Sequence, residues 1–393
     1  AYRHLPWGTE TSEPEPPSQP DESILYWSYL WNRTAFELSP EFQTQLTEYV
    51  RQVKDDPRLL CYENLNEPIM PGQQKATPDQ LRVGVDLLRQ LDPDHPIWLA
   101  HSCHNMVETL ATYNPCADIL GANPYPVVPA GMRPHHVAAR ADGRMLDCPD
   151  QTLHGAGKYT QKMVQVGAGR MPVWMFVQGM ANERWFNPTE LPGLAGQSVD
   201  ESKILYPTYE ELRFIVFDEI ICGATGLAFS MHGTPIESQM WNDIAQVTGE
   251  LSGLHDALAA PLAPGKIDLS YTDLGYTIWD GVGTMARSLG DDLYLFAANT
   301  AFDPARVSIG VEGVDARAVV VVEGEDRVIG TTRAAPAGVG IAPAAIPRLF
   351  VEFEPILDQV EVHVGVPGIP DQLHVDGVVG QAVEFALRWR GLY

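Results

Sequence analysis

The chain has 393 residues, 45% hydrophobic and 20% charged, as expected of a large-cored globular chain of two or three domains. Asp and Glu outnumber Lys and Arg by 51 to 26, a net charge near −25 that repels phosphate backbones and anionic lipid, so neither nucleic acid nor a membrane is an expected partner. No run approaches the ~18 apolar residues of a spanning helix, residues 1–20 hold no signal-type apolar stretch, and the five cysteines lack the paired spacing of a zinc site or disulfide scaffold.

Residues 1–23 carry five prolines among acidic and small residues and read as an arm without its own core. A β/α rhythm then begins. ILYWSYLW (24–31) is a strand; Ser39 and Pro40 open a helix whose apolar stripe is Phe42, Leu46, Val50 and Val53. LLCYENL (59–65) is a second strand, followed by a helix with a Thr77/Gln80 capping box and Leu81, Val85 and Leu88 on one face. PIWLA (96–100), DILGANPYP (118–126) and PVWMFVQ (172–178) are further strands. Helix 208–222 opens on a Thr208/Glu211 box, turns Leu212, Ile215, Val216 and Ile220 inward, and stops at Gly223 before GLAFSMHG (226–233). Continuous apolar strands alternating with helices predict parallel strands covered on both faces. A closed barrel and a doubly wound sheet both fit, and the lack of a GxGxxG after any early strand weakens a dinucleotide site; no cofactor is expected.

Beyond about residue 262 the rhythm changes to short strands: YTIWD (276–280), LYLFAAN (293–299), RVSIGVEG (306–313), AVVVVEGE (318–325), RLFVEFE (348–354) and QVEVHVGV (359–366). That spacing predicts a β-sandwich. The expected organisation is a barrel over 1–261, a sandwich over 262–366, and a tail over 367–393 with an amphipathic piece at 383–389 and no assigned role.

The strongest chemical signal is YENLNEP, Tyr62 to Pro68. Read as strand, it puts Glu63 and Glu67 on one face, with Glu67 at the C-terminal edge, where barrels carry their chemistry. A carboxyl partly desolvated there holds its proton and suits a general acid; the plainer alternative is an exposed loop carboxylate. Tryptophans 7, 27, 31, 98, 174, 185 and 241 fall mostly near strand ends or loops, where indole faces can stack on sugars. Trp185 is the best platform, whereas Trp98 and Trp174 read more simply as core. His101, His104, His135 and His136 do not form a convergent ligand set, and no metal site is expected. Ser102-Cys103-His104 is too contiguous for a working dyad, and there is no GxSxG, Walker or HExxH motif.

Asn66-Glu67-Pro68 after an apolar strand resembles the Asn-Glu-Pro motif of the large glycoside hydrolase clan of (β/α)8 barrels. The resemblance implies a TIM-type barrel followed by an accessory sandwich, action on β-linked glycosides or polysaccharide, and Glu67 as acid/base at the end of strand four. It further implies a sugar-binding Asn66, a sixth strand ending near Asn123 and Tyr125, a seventh in PVWMFVQG and an eighth in GATGLAFSMHG. Trp185 and His232 join Asn66, Asn123 and Tyr125 as expected carbohydrate contacts, and an extracytoplasmic location is favoured over a cytoplasmic one. Two features depart from the pattern. Gln178 stands where the nucleophilic Glu is expected, and an amide cannot form the glycosyl-enzyme ester of a retaining mechanism. Another carboxylate such as Glu183, a sugar binder without hydrolysis, or a Glu→Gln variant all remain open. The second is length: two more β/α units need about 25–35 residues each, but only 23 precede Ile24. An upstream segment is therefore the expectation, with a reduced barrel as the alternative.

Overall fold

The computed structural model describes residues 26–30, 40–70, 73–102, 104–127, 152–181, 205–231, 234–274, 278, 281–290 and 292–301, together with the later strands named below. The chain divides into two compact units, residues 1–177 with 223–230, and residues 178–222 with 231–393. Among the described residues no helix is long and apolar enough to cross a membrane.

The first unit runs β1 (Tyr26–Tyr29), α1 (Pro40–Val53), β2 (Leu59–Glu63), β3 (Ile69–Met70), β4 (Gln73–Gln74), α2 (Pro78–Leu91), β5 (Ile97–His101), α3 (Val107–Ala111), a 3-10 turn (Asn114–Cys116), β6 (Ile119–Ala122), α4 (Gly155–Val166), β7 (Trp174–Gln178) and β8 (Gly226–Ser230). Local chemistry sets these boundaries. Pro40 opens α1, and Leu46 and Val50 are buried as expected; Ser39 and the Phe42 side chain lie outside the described residues. The capping box of α2 forms in both directions, Gln80 N–H to Thr77 Oγ1 at 3.2 Å and Thr77 N–H to Gln80 Oε1 at 2.8 Å. Its predicted face of Leu81, Val85 and Leu88 is buried.

Strands β1, β2, β5 and β6 pair in that order, all parallel. A parallel bridge between Leu120 and Val173 leads on to β7, which pairs with β8. Strand neighbours thus follow chain order with helices between, a barrel-like α/β arrangement. Among the described residues no pairing joins β8 back to β1, so the sheet is not closed.

Alternation along the strands separates two cores. Ile97, Leu99, Leu120 and Met175 pack with α2 and α4 residues such as Leu88 and Met163. The opposite face gathers Cys61, Trp98, Ala100, Ile119, Phe176 and Ala228, with Trp27, Tyr125 and Trp174 against them. Trp98 stacks on Phe176 (centroids 4.7 Å, planes at 20°) and meets Trp27 and Trp174 edge-on at 5.7 and 5.8 Å. The core reading of Trp98 and Trp174 holds. Two glycines make the room. A methyl on Gly121 would lie 2.1 Å from the Trp174 carbonyl oxygen and 2.5 Å from Trp98 Nε1, and one on Gly226 would lie 2.5 Å from the Trp174 ring.

The second unit contains α5 (Tyr209–Ile221), α6 (Gln239–Gly253), α7 (His255–Ala259) and strands β9 (Ile267–Asp273), β10 (Val282–Leu289), β11 (Asp292–Asn299), β12 (Ala305–Val311), β13 (Val319–Val322), β14 (Arg327–Thr331), β15 (Arg348–Phe353), β16 (Val362–His363) and β17 (Glu384–Arg390). The Thr208/Glu211 box opens α5, and Gly223 (φ 111°) follows its end. The one-sided stripe expected of α5 is too narrow a description, because Phe214, Phe217, Asp218 and Glu219 are buried as well. Arg213 Nε donates to Glu250 Oε2 at 2.8 Å and Tyr209 Oη donates to the same carboxylate, joining α5 to α6.

Among the described residues every element after α7 is a strand, in two antiparallel sheets ordered β10-β11-β17-β13-β14 and β16-β15-β12-β9. Three expectations need correction here. β9 precedes YTIWD, of which Ile278 is the described residue, in a bend with its side chain 80% exposed. β14 was not expected. Residues 383–389, left without a role, lie largely in β17, which pairs with both β11 and β13.

Replacing Gly121 with Ala should cost about 1–3 kcal/mol in equilibrium unfolding, because the obstructing atom is backbone. Gly84→Ala, in α2 with nothing within 4 Å of the added carbon, should instead stabilise by about 0.5–1 kcal/mol. A second expectation concerns His101, fully buried at the end of β5, edge-on to Tyr113, with neither ring nitrogen partnered among the described residues. Burial, with the Lys162 charge, holds its pKa down to about 3. The unfolded chain takes this proton below about pH 6.5 and the folded chain does not, so stability falls as pH drops from about 6.5 to about 3. His101→Leu should remove a few kcal/mol of that acid-side loss and be near neutral at pH 8, as read from urea unfolding across pH.

Candidate functional site

The loop leaving β2 is clamped to β5. Asn64 N–H donates to the Trp98 carbonyl and Glu67 N–H to that of Ala100, each at 2.8 Å, while Leu65 N–H bonds Asn64 Oδ1. β2 ends at Glu63, so Asn66 and Glu67 are loop residues and not, as expected, the end of the strand. Glu67 adopts φ 51°, a left-handed backbone unusual for a non-glycine residue and typical of constrained sites. The shared face inferred for Glu63 and Glu67 from strand alternation therefore does not apply.

Glu67 is half-buried, and its Oε1 accepts from Asn123 Nδ2 at 3.1 Å. The same nitrogen donates to Asn66 Oδ1 at 2.9 Å. Lys75, returned by the β3–β4 hairpin, gives its Nζ to the Asn66 carbonyl at 3.2 Å. Burial holds the Glu67 carboxyl above the ordinary carboxylate range, against the Asn123 hydrogen bond and the Lys75 charge, which pull it down. Glu67 thus keeps a proton more readily than a surface Glu while still accepting a hydrogen bond, as a proton donor requires.

Glu63 differs. It is 2% exposed, accepts from Trp27 Nε1 at 2.8 Å, and is pushed by burial up to about 8 despite that bond. At neutral pH it is mostly a neutral acid. Trp27 and Lys75 were not anticipated as partners of the two carboxyls. The Pro71-Gly72 dipeptide, a turn signal between short apolar and polar pairs, could have pointed to the hairpin that brings Lys75 back.

The structure brings together Asn66, Glu67 and Asn123, and places the half-buried Tyr125 against the aromatic interior. Gln178 is the last residue of β7, fully buried, and its Nε2 donates to the Met180 carbonyl at 3.1 Å. His101 and His104 rest edge-on against different tyrosines, Tyr113 and Tyr159. Trp241 is 39% exposed in the first turn of α6. Trp7, Trp31, Trp185, Glu183, His135, His136, Cys103 and His232 lie outside the described residues.

No protein-family model and no curated protein matches the chain. Solved structures do. An α-amylase from Geobacillus thermoleovorans complexed with acarbose is 10% identical at a TM-score of 0.43, over 90% of this chain and 65% of that one. A glycoside hydrolase family 30 subfamily 8 xylanase from Clostridium acetobutylicum is 12% identical at 0.41, over 93% and 80%. A β-galactosidase from the psychrophilic Marinomonas ef1 is 11% identical at 0.38, over 58% and 46%. The chain spans just under two thirds of the length of the amylase.

Because Glu63 stays protonated to about pH 8 in the fold but ionises near 4.5 when unfolded, the folded state binds the extra proton between those values and stability falls as pH rises through that window. Glu63→Gln should remove this slope and, keeping shape and an acceptor for Trp27 Nε1, should cost less than about 1.5 kcal/mol at pH 5. Glu63→Ala should cost about 2–3 kcal/mol by leaving the indole N–H unpaired over a void. Urea unfolding of both variants between pH 4 and 9 checks the pair.

Proposed function

We propose that this chain is a glycosidase-type protein acting on β-linked glycosides or polysaccharide, with Glu67 as general acid/base. One observation carries the reading: a half-buried carboxyl kept above its ordinary range beyond the C-terminal end of β2, hydrogen-bonded by the amide of Asn123 and flanked by Asn66. In the forward step protonated Glu67 gives its proton to the glycosidic oxygen as the C–O bond breaks, and the ring carbon acquires oxocarbenium character. Asn66, Tyr125, Trp185 and His232 are the proposed sugar contacts, with Asn123 at the carboxyl. A TIM-type barrel, an accessory β-sandwich and an extracytoplasmic location belong to the same proposal.

Retention needs a second carboxylate as nucleophile, and inversion needs one about 6.5–9.5 Å from the acid to activate water. Gln178 supplies neither. Its buried amide, bonded to the Met180 carbonyl, favours a second reading, a carbohydrate-binding protein on a glycosidase scaffold that does not turn its ligand over.

Calorimetry and turnover on an aryl-glycoside panel separate these. Glu67→Gln should lower any hydrolysis by about 10²–10⁴-fold with the fold intact; unchanged rates on substrates with poor leaving groups would remove Glu67 from the mechanism. If hydrolysis lacks only a nucleophile, Gln178→Glu should raise turnover by several orders of magnitude. Sugar binding with no gain from that change is the outcome for the binding protein.

A further inference from the structure

The sequence places Asn123 among the sugar contacts, but its donors are used otherwise. A side-chain amide nitrogen carries two N–H groups. Here one serves Asn66 Oδ1 at 2.9 Å and the other Glu67 Oε1 at 3.1 Å. The acceptors sit on consecutive residues of the loop after β2, whereas Asn123 follows β6, two strands away in the order β2-β5-β6. The loop is also tied to β5, through the Trp98 and Ala100 carbonyls, and to Lys75, which donates to the Asn66 carbonyl. A φ of 51° at Glu67 is a conformation that persists only where its surroundings hold it, and the Asn123 amide is a bond that reaches the Glu67 side chain itself.

We propose that Asn123 is the positioning residue of this site: one amide nitrogen locks the Asn66 side chain and the Glu67 carboxyl into a single arrangement and biases that carboxyl toward its ionised form. The donor is directional. An N–H aimed at Oε1 bonds a carboxylate more strongly than a neutral acid, so it counters the burial that favours the proton. Lys75, the charged group acting on Glu67, works in the same direction without being aimed at the oxygen. The consequence is an acid that holds its proton yet can release it, which matters for a group that must donate and then recover a proton in each cycle. This significance rests on the glycosidase reading; the positioning itself does not.

The test is a carboxyl titration of the full chain, labelled with carbon-13 at glutamate Cδ, with the Glu67 signal assigned by its loss in Glu67→Gln. Asn123→Ala should raise the Glu67 midpoint by about one pH unit, a tenfold gain in proton affinity. Asn123→Asp, of nearly the same shape, should raise it further by setting a second carboxylate against the first. Where hydrolysis is measurable, the alkaline limb of kcat/KM should move the same way. A midpoint unchanged in Asn123→Asp, with native amide chemical shifts elsewhere, overturns the proposal, and the isosteric variant decides the question if Asn123→Ala fails to fold. A wild-type chain that turns over no glycoside would defeat the glycosidase reading and leave the titration result standing.

Discussion

Everything in the first unit depends on how flat rings fill the inner face of the strands. Trp98 is the centre: it stacks on Phe176 and takes the edges of Trp27 and Trp174. Rings of that size on neighbouring strands exclude any side chain from the positions beside them, which explains Gly121 and Gly226 without appeal to flexibility. The same packing sets the electrostatics. Trp27 belongs to the ring cluster through its edge-on contact with Trp98 and to Glu63 through its N–H. A carboxyl above an apolar floor is desolvated before any partner is counted, and one neutral donor does not restore what water would have given.

Several buried titratable groups are held toward their neutral forms. Glu63 is raised and His101 lowered, by the same cause acting on opposite charges. In the second unit Glu219 is also fully buried, raised by burial and by the neighbouring Asp218, with neither carboxyl oxygen partnered among the described residues. The linkage signs differ. Neutral burial of His101 penalises the fold toward acid and that of the two glutamates toward base. Between about pH 4.5 and 6.5 the His101 and Glu63 slopes oppose each other, so a flat stability profile there would reflect cancellation rather than an absence of titration. Glu67 stands apart because it is half-buried and faces both a donor and a cation.

Local signals were legible where local energies decide. The Thr77/Gln80 and Thr208/Glu211 boxes form as read, since each is closed within one turn. Strand positions in the β/α region follow from continuous apolar runs. The loop after β2 did not follow. A residue before proline ordinarily stays extended, so Glu67 ahead of Pro68 reads as strand; the structure instead has φ 51° at Glu67, in a loop with two backbone bonds to β5 and a side-chain bond from beyond β6. Those partners lie tens of residues away and have no local trace. In the β-rich part, YTIWD attracted attention by composition, whereas β10 and β11 are set by register around Gly290 (φ 59°). Gly290-Asp291 is a hairpin dipeptide, a signal present in the sequence. β17 was missed because its partners, β11 and β13, precede it by many residues.

The contrast between Glu67 and Gln178 bears on which chemistry this scaffold is built for. Glu67 meets donors: an amide N–H and, through charge, a lysine. Gln178 meets an acceptor, the Met180 carbonyl 3.1 Å from its Nε2. A carboxylate in that same pose would oppose two oxygens in a fully buried setting, which is unfavourable unless the group takes up a proton or turns away. The Met180 carbonyl is thus an acceptor that suits an amide donor at residue 178. A nucleophile introduced there would have to break the bond to Met180 before it could act, so any gain from a carboxylate at this position depends on how readily residues 178–180 rearrange, and not on the carboxylate alone.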